Sequence, residues 1–213
     1  MLEHYGFRTV IFAACALIFN IAYVAFHIVL AIVLRSFWYG SLAAYYGMLV
    51  ALRSGVVLYH KKRGNIADVR LQQKTELTKY RTCGVMLTII PLCLVIPILQ
   101  ILFLDKAFIH EGWTVIAFAA YAFYKIVMAI VNVVKSQKQT DFTVRAIRNI
   151  AFADALVSIF SLQTALLYSF AAGGDYRAAN LATGSAVCLM TIALGVIMIV
   201  KANKKTRELK EEE

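Results

Sequence analysis

Six long, predominantly apolar runs decide what this chain can become: Thr9–Leu34, Phe37–Leu58, Cys83–Leu104, Trp113–Val134, Ile150–Ala172 and Leu181–Val200. Each is at least 20 residues long. At about 1.5 Å per residue, a helix of that length crosses ~30 Å of hydrocarbon. None alternates apolar and polar residues as a barrel strand of ~10 residues would. The runs predict an all-α membrane protein, a six-transmembrane-helix bundle with no soluble domain. Composition agrees: 61% of residues are hydrophobic and 16% charged, where a soluble domain carries about 25% charge. The first run is too long for a signal-peptide core and no small-residue cleavage site follows it, so it is expected to remain as the first span.

The formal net charge is +10, which by itself would fit a nucleic-acid binder. Its distribution fits a membrane instead. With the amino terminus on the cytoplasmic side, Arg8, the stretches Lys61 to Arg81 and Lys135 to Arg148, and the tail from Lys201 to Lys210 fall inside. Those segments hold 17 of the 22 Lys and Arg residues, while Arg35, Lys106 and Arg177 fall outside. This is the positive-inside bias of short loops. It places both termini in the cytoplasm of a multi-pass cell-membrane protein and assigns the surface charge to anionic headgroups, not nucleic acid. Phe37, Trp38 and Tyr39 at one outer turn, Trp113 at another, and Tyr59 and Tyr80 beside the large inner loop are interfacial anchors. The four cysteines, Cys15, Cys83, Cys93 and Cys188, all lie within spans with no C-x-x-C pair. They are expected as free thiols, with no disulfide, no metal site and no cofactor.

A short stretch repeats. Residues 22 to 33, AYVAFHIVLAIV, align with residues 120 to 131, AYAFYKIVMAIV, and seven of the twelve pairs are identical. His27 and Lys125 occupy the same place in the two copies. The offset spans three crossings, so the copies enter the bilayer from opposite sides. The chain therefore divides into a first three-helix repeat, 1–104, and a second, 105–213, the inverted plan of many secondary transporters. Pro91 and Pro97 are expected to bend the third span. Ala182, Gly184, Ser185, Ala186 and Gly195 let the sixth approach a neighbour closely. The inner loop from Lys61 to Lys79 carries a weak signal for a short interfacial helix. The tail after Lys201 is expected to fray.

Ionisable side chains within spans are costly, so they are the first candidates for function. They are segregated: His27 in the first span, Arg53 in the second, Lys125 in the fourth and Asp154 in the fifth, with none in the third or sixth. Helical spacing extends these positions as Asn20-Tyr23-His27, Tyr121-Lys125-Asn132 and Asp154-Ser158-Ser161. The first, second, fourth and fifth spans should thus enclose a polar interior, with the third and sixth outside it. Measured from the ends of the apolar runs, Arg53 is about 10 Å and Asp154 about 7 Å deep, while Lys125 is about 14 Å deep, near the midplane. Depth therefore pairs Arg53 with Asp154 and leaves Lys125 needing a tilt or a water to reach the acid. Ser158 and Ser161 fit helix–helix contacts, and His27 fits either packing or a proton relay. No zinc-protease, nucleophile-elbow or phosphate-loop motif occurs, so no enzymatic activity is expected.

On these residues the chain resembles the membrane domain of the cation diffusion facilitators. Gly40-Ser41-Leu42-Ala43 is similar to the turn between that family's first two helices, Lys125 to a basic residue of its fourth helix, and Ala153-Asp154-Ala155-Leu156-Val157-Ser158 to its fifth-helix stretch. The resemblance implies six spans with helices 1, 2, 4 and 5 grouped, a homodimer, and exchange of an ion for protons. The family's four metal ligands map onto Gly47, Ala51, Ile150 and Asp154, so one of the four is present. A lone carboxylate beside Arg53 and Lys125 does not hold a zinc ion, which takes about four ligands. The chain also resembles an uncharacterised family of six-span clostridial membrane proteins. The expected function is a small secondary transporter, or a remnant of one, moving a small ion or solute past Asp154, Arg53, Lys125, His27, Ser158, Ser161, Tyr121 and Asn132. The alternative is a non-transporting scaffold or partner subunit in which the charges only fix helix contacts.

Overall fold

The computed structural model describes residues 2–33, 35, 37–63, 69–104, 112–136, 141–170 and 176–211. They form seven helices: α1 Leu2–Val33, α2 Phe37–Arg63, α3 Val69–Ile89, α4 Leu92–Leu104, α5 Gly112–Ser136, α6 Phe142–Phe170 and α7 Arg177–Glu211. No strand occurs among the described residues. Among the described residues, four rods are long and apolar enough to cross a membrane: Tyr39–Tyr59, Arg70–Gln100, Phe142–Leu167 and Arg177–Leu209. Shorter apolar stretches, Asn20–Val33 and Ala122–Val131, lie in α1 and α5.

The second of these rods joins α3 to α4 through an interruption at Ile90-Pro91. Proline has no N–H to give the preceding turn. The chain closes the gap with tighter bonds, Cys93 N to Ile90 O at 3.0 Å and Leu94 N to Pro91 O at 2.9 Å. Pro97, by contrast, stays within α4. The expected bend of the third span is thus a break at the first proline.

Helices run further than the apolar runs that mark them. α3 begins at Val69 and α7 continues to Glu211. The latter half of the inner loop is therefore the start of α3, in place of a separate interfacial helix, and the tail is helical where fraying was expected. Lys, Arg and Glu are good helix formers, so charge does not end a helix. α6 likewise starts eight residues before its apolar run. Asp141 caps it, its Oδ1 accepting from Thr143 N at 2.8 Å and Val144 N at 3.3 Å. Gly40 to Ala43 lie inside α2, so the turn between α1 and α2 is upstream of where the family resemblance places it and falls between the first two apolar runs. Arg35, in the left-handed region at φ 45°, is part of that turn. Gly173 and Gly174, and the side chains of Trp38, Trp113 and Cys15, lie outside the described residues.

Packing pairs α1 with α2, α5 with α6, and α3 with α7. α2 and α6 meet at the centre, α1 also touches α6, and α4 leans on α2 and α7. The α3–α7 seam is close enough to exclude side chains. A Cβ on Gly195 would lie 2.6 Å from the Gly84 carbonyl, and one on Gly84 would lie 2.9 Å from the Gly195 carbonyl. Near one end, the Tyr59 hydroxyl of α2 donates to Gln72 O of α3 at 3.2 Å.

The bundle is apolar on its outer faces as well as in its core, and a few polar groups are turned inward. Outer faces carry Ile32, Phe103, Phe123 and Leu189, each more than 60% exposed. The interior holds Asn20, Arg53 and Asp154 at 1–4%. Apolar surfaces of this extent, with polar groups turned in, suit a multi-pass membrane protein.

Candidate functional site

The interior polar cluster is centred on Asp154 of α6. Its Oδ1 accepts from Lys125 Nζ of α5 at 3.0 Å, and its Oδ2 accepts from Asn20 Nδ2 of α1 at 3.2 Å. Arg53 Nη2 of α2 lies 3.6 Å from the same Oδ2, an ion pair just beyond hydrogen-bond length. One carboxylate therefore ties four helices together. Both pairs are shielded from solvent: the side chains of Arg53, Asp154 and Lys125 are 3%, 6% and 10% exposed.

The closer cation is Lys125, which corrects the depth argument. Apolar runs end at unequal distances from the true helix ends. Counted on the helices themselves, Arg53 is 10 residues from Arg63, Lys125 11 from Ser136, and Asp154 12 from Phe142. The three counts are nearly equal, and Lys125 reaches the carboxylate directly at 3.0 Å. The eight helical residues before Ile150, read as loop, account for the error.

Tyrosines surround the ammonium. Lys125 Nζ stands 5.5 Å from the Tyr23 ring centre and 5.2 Å from that of Tyr46. The electron-rich faces offset part of the lost hydration. Ser158, one turn beyond Asp154, lies 3.5 Å from Lys125 Nζ and 3.5 Å from the Tyr46 hydroxyl, and its own hydroxyl donates to Asp154 O at 2.9 Å. The Tyr45 hydroxyl donates to Ala153 O at 3.1 Å. His27 is 4% exposed, edge-on to Tyr23 at 4.4 Å and stacked with Tyr46 at 5.9 Å.

The structure thus brings together Asp154, Arg53, Lys125 and Ser158, with His27 joined through the aromatic rings. Ser161 does not join them: its hydroxyl is buried without a hydrogen-bond partner among the described residues. The side chains of Tyr121 and Asn132 lie outside the described residues. Tyr45 and Tyr46 are additions that the sequence reading missed. The signal was available, since Tyr46 precedes Arg53 by two helical turns and so shares its face.

Chemically, the site presents an ammonium, a guanidinium and an amide to a single carboxylate. These donors attract anions and repel cations. No group of three His, Cys, Asp or Glu residues suited to a metal ion forms among the described residues. Cys83, Cys93 and Cys188 are free thiols, and Cys188 Sγ lies 3.9 Å from Pro91 O at the break between α3 and α4. No protein-family model, curated protein or solved structure matches the chain.

Proposed function

We propose that the chain is a small secondary transporter, or a remnant of one, that moves a small ion or solute through the interior enclosed by α1, α2, α5 and α6. The observation that carries this reading is Asp154, held between Lys125 at 3.0 Å and Arg53 at 3.6 Å deep within an otherwise apolar bundle. Charged groups in such a place are candidates for solute and proton paths by default. Asp154 serves as the proton-exchanging or solute-contacting group, Arg53 and Lys125 as its partners, and His27 flanks the path. Six spans in two inverted repeats of three, a layout like that of the cation diffusion facilitators, fit the separate α1–α2 and α5–α6 hairpins and the α3–α7 pair. The charge bias supports cytoplasmic termini in a cell membrane, and the family resemblance supports a homodimer.

A second reading is a scaffold or partner subunit. It is favoured by the bonds from Asn20 and Lys125 to Asp154, which fix α1 and α5 against α6 whether or not anything moves.

Flux from purified protein in liposomes decides between them. A transporter moves at least one ion or solute of a broad panel, and Asp154→Asn abolishes that movement. If nothing moves, and Asp154→Asn combined with Arg53→Met is as stable as the parent, the transporter reading fails.

A further inference from the structure

Among the described residues, Arg53 is the charged member of the cluster whose hydrogen bonding is left incomplete. Its side chain is 3% exposed, yet Nε and Nη1 are buried with no hydrogen-bond partner among the described residues. Those two nitrogens hold three of the five N–H donors of a guanidinium. Its single ion pair, at 3.6 Å, is the longest contact Asp154 makes. Asp154 is meanwhile satisfied by closer contacts, Lys125 on Oδ1 and Asn20 on Oδ2. Counted formally, two cations share one carboxylate, and the cluster is one charge short of neutral. Buried donors without acceptors are costly, and natural proteins retain them where something else completes them.

Resting on the transport reading above, we propose that the solute is a small monovalent oxyanion, of the carboxylate or nitrate kind, that docks on the unfilled N–H donors of Arg53. Lys125 stays on Asp154, and the anion takes Arg53. The arrangement then holds two ion pairs and no net charge, which a low-dielectric interior favours. A dianion would leave the site negative, and a bare divalent cation would raise its positive charge to three. A planar guanidinium matches a planar oxyanion better than a spherical ion. The solute is small because the Arg53 side chain is itself buried, at 3% exposure.

The test uses the full-length protein in lipid nanodiscs, with sodium nitrate, formate and sulfate and zinc chloride as probes. Ligand-dependent thermal unfolding is the readout, since a ligand that binds only the folded state raises its stability. Nitrate or formate is expected to stabilise the parent at concentrations at least tenfold below sulfate. Arg53→Met, folded by circular dichroism and monodisperse, loses that response. Asp154→Asn leaves both cations without their carboxylate, so its preference inverts and sulfate acts at least tenfold below nitrate. The proposal is overturned if neither monoanion shifts the parent, if Arg53→Met responds as the parent does, or if Asp154→Asn keeps the parent's preference. Should Arg53→Met fail to fold, the inversion in Asp154→Asn decides; should that variant also fail, the nitrate-to-sulfate ratio of the parent decides. Nitrate that binds but does not cross in proteoliposomes leaves the anion site standing and removes the transport reading. A cation that crosses while no monoanion binds does the reverse.

Discussion

Replacing Arg53 by methionine should leave the fold as stable as before or strengthen it, although Arg53 belongs to a buried ion pair. The magnitude follows from the distances. At an effective dielectric of about 20, a pair at 3.6 Å gains roughly 4–5 kcal/mol. Lys125 contacts the same carboxylate at 3.0 Å, so the two cations lie within about 9 Å, and their repulsion removes about 2 kcal/mol or more. Desolvating the guanidinium costs several kcal/mol, and the buried Nε and Nη1 without partners add about 1–3 kcal/mol each. The balance turns against Arg53, and methionine retains most of its aliphatic volume. Arg53→Met is therefore expected to fall between unchanged and about 2 kcal/mol more stable. Asp154→Asn, which strands two buried cations, should lose about 3–5 kcal/mol. Reversible unfolding in mixed micelles with increasing dodecyl sulfate, followed by circular dichroism, measures both. A loss of about 3 kcal/mol or more for Arg53→Met, with Asp154→Asn within about 1 kcal/mol of the parent, would refute the reasoning and make Arg53 the architectural partner.

Further outcomes can be checked in the same system. Gly195→Ala places a Cβ 2.6 Å from the Gly84 carbonyl and should cost about 1–3 kcal/mol. Gly55→Ala meets nothing within 4 Å and should gain up to about 1 kcal/mol in the same unfolding assay. Tyr45→Phe removes a hydroxyl bonded to Ala153 O at 3.1 Å and should lose about 1 kcal/mol. Tyr46→Phe removes a contact of 3.5 Å to Ser158 and should lose less. For topology, membrane-impermeant maleimide applied to intact cells should label Arg177→Cys but not Lys204→Cys, in a background lacking the native cysteines. Labelling of Lys204→Cys from outside would reverse the orientation.

The sequence made the cast of the site legible and obscured its pairing. Arg53, Lys125 and Asp154 stand out because a charge within an apolar run has few bland explanations. Their helical spacing pointed them at one interior, and they do meet there. What composition cannot locate is a helix end. The apolar run of α6 begins at Ile150, but Asp141 caps the helix and lets it form eight residues earlier. That shift inverted the ranking of Arg53 and Lys125 as partners. The same blindness hid the helical tail of α7, whose lysines and glutamates are favourable helix residues. Asn20 was visible as a polar neighbour of His27, yet its bond to Asp154 spans 134 positions and depends on how α1 leans on α6. Tyr45 and Tyr46 were passed over because no polar face was traced along the second span from Arg53, as it was from His27, Lys125 and Asp154.

The charge imbalance among Arg53, Lys125 and Asp154 has an electrical consequence. A charge carried across a bilayer couples to the transmembrane voltage by about 2.3 kcal/mol per 100 mV. With nothing bound, the trio bears one uncompensated positive charge, and any rocking of α2, α5 and α6 that shifts it through the field is pulled toward the negative side. A single bound negative charge abolishes that pull. On the transport reading, the resting potential would sort the empty molecule between its orientations and leave the filled one indifferent.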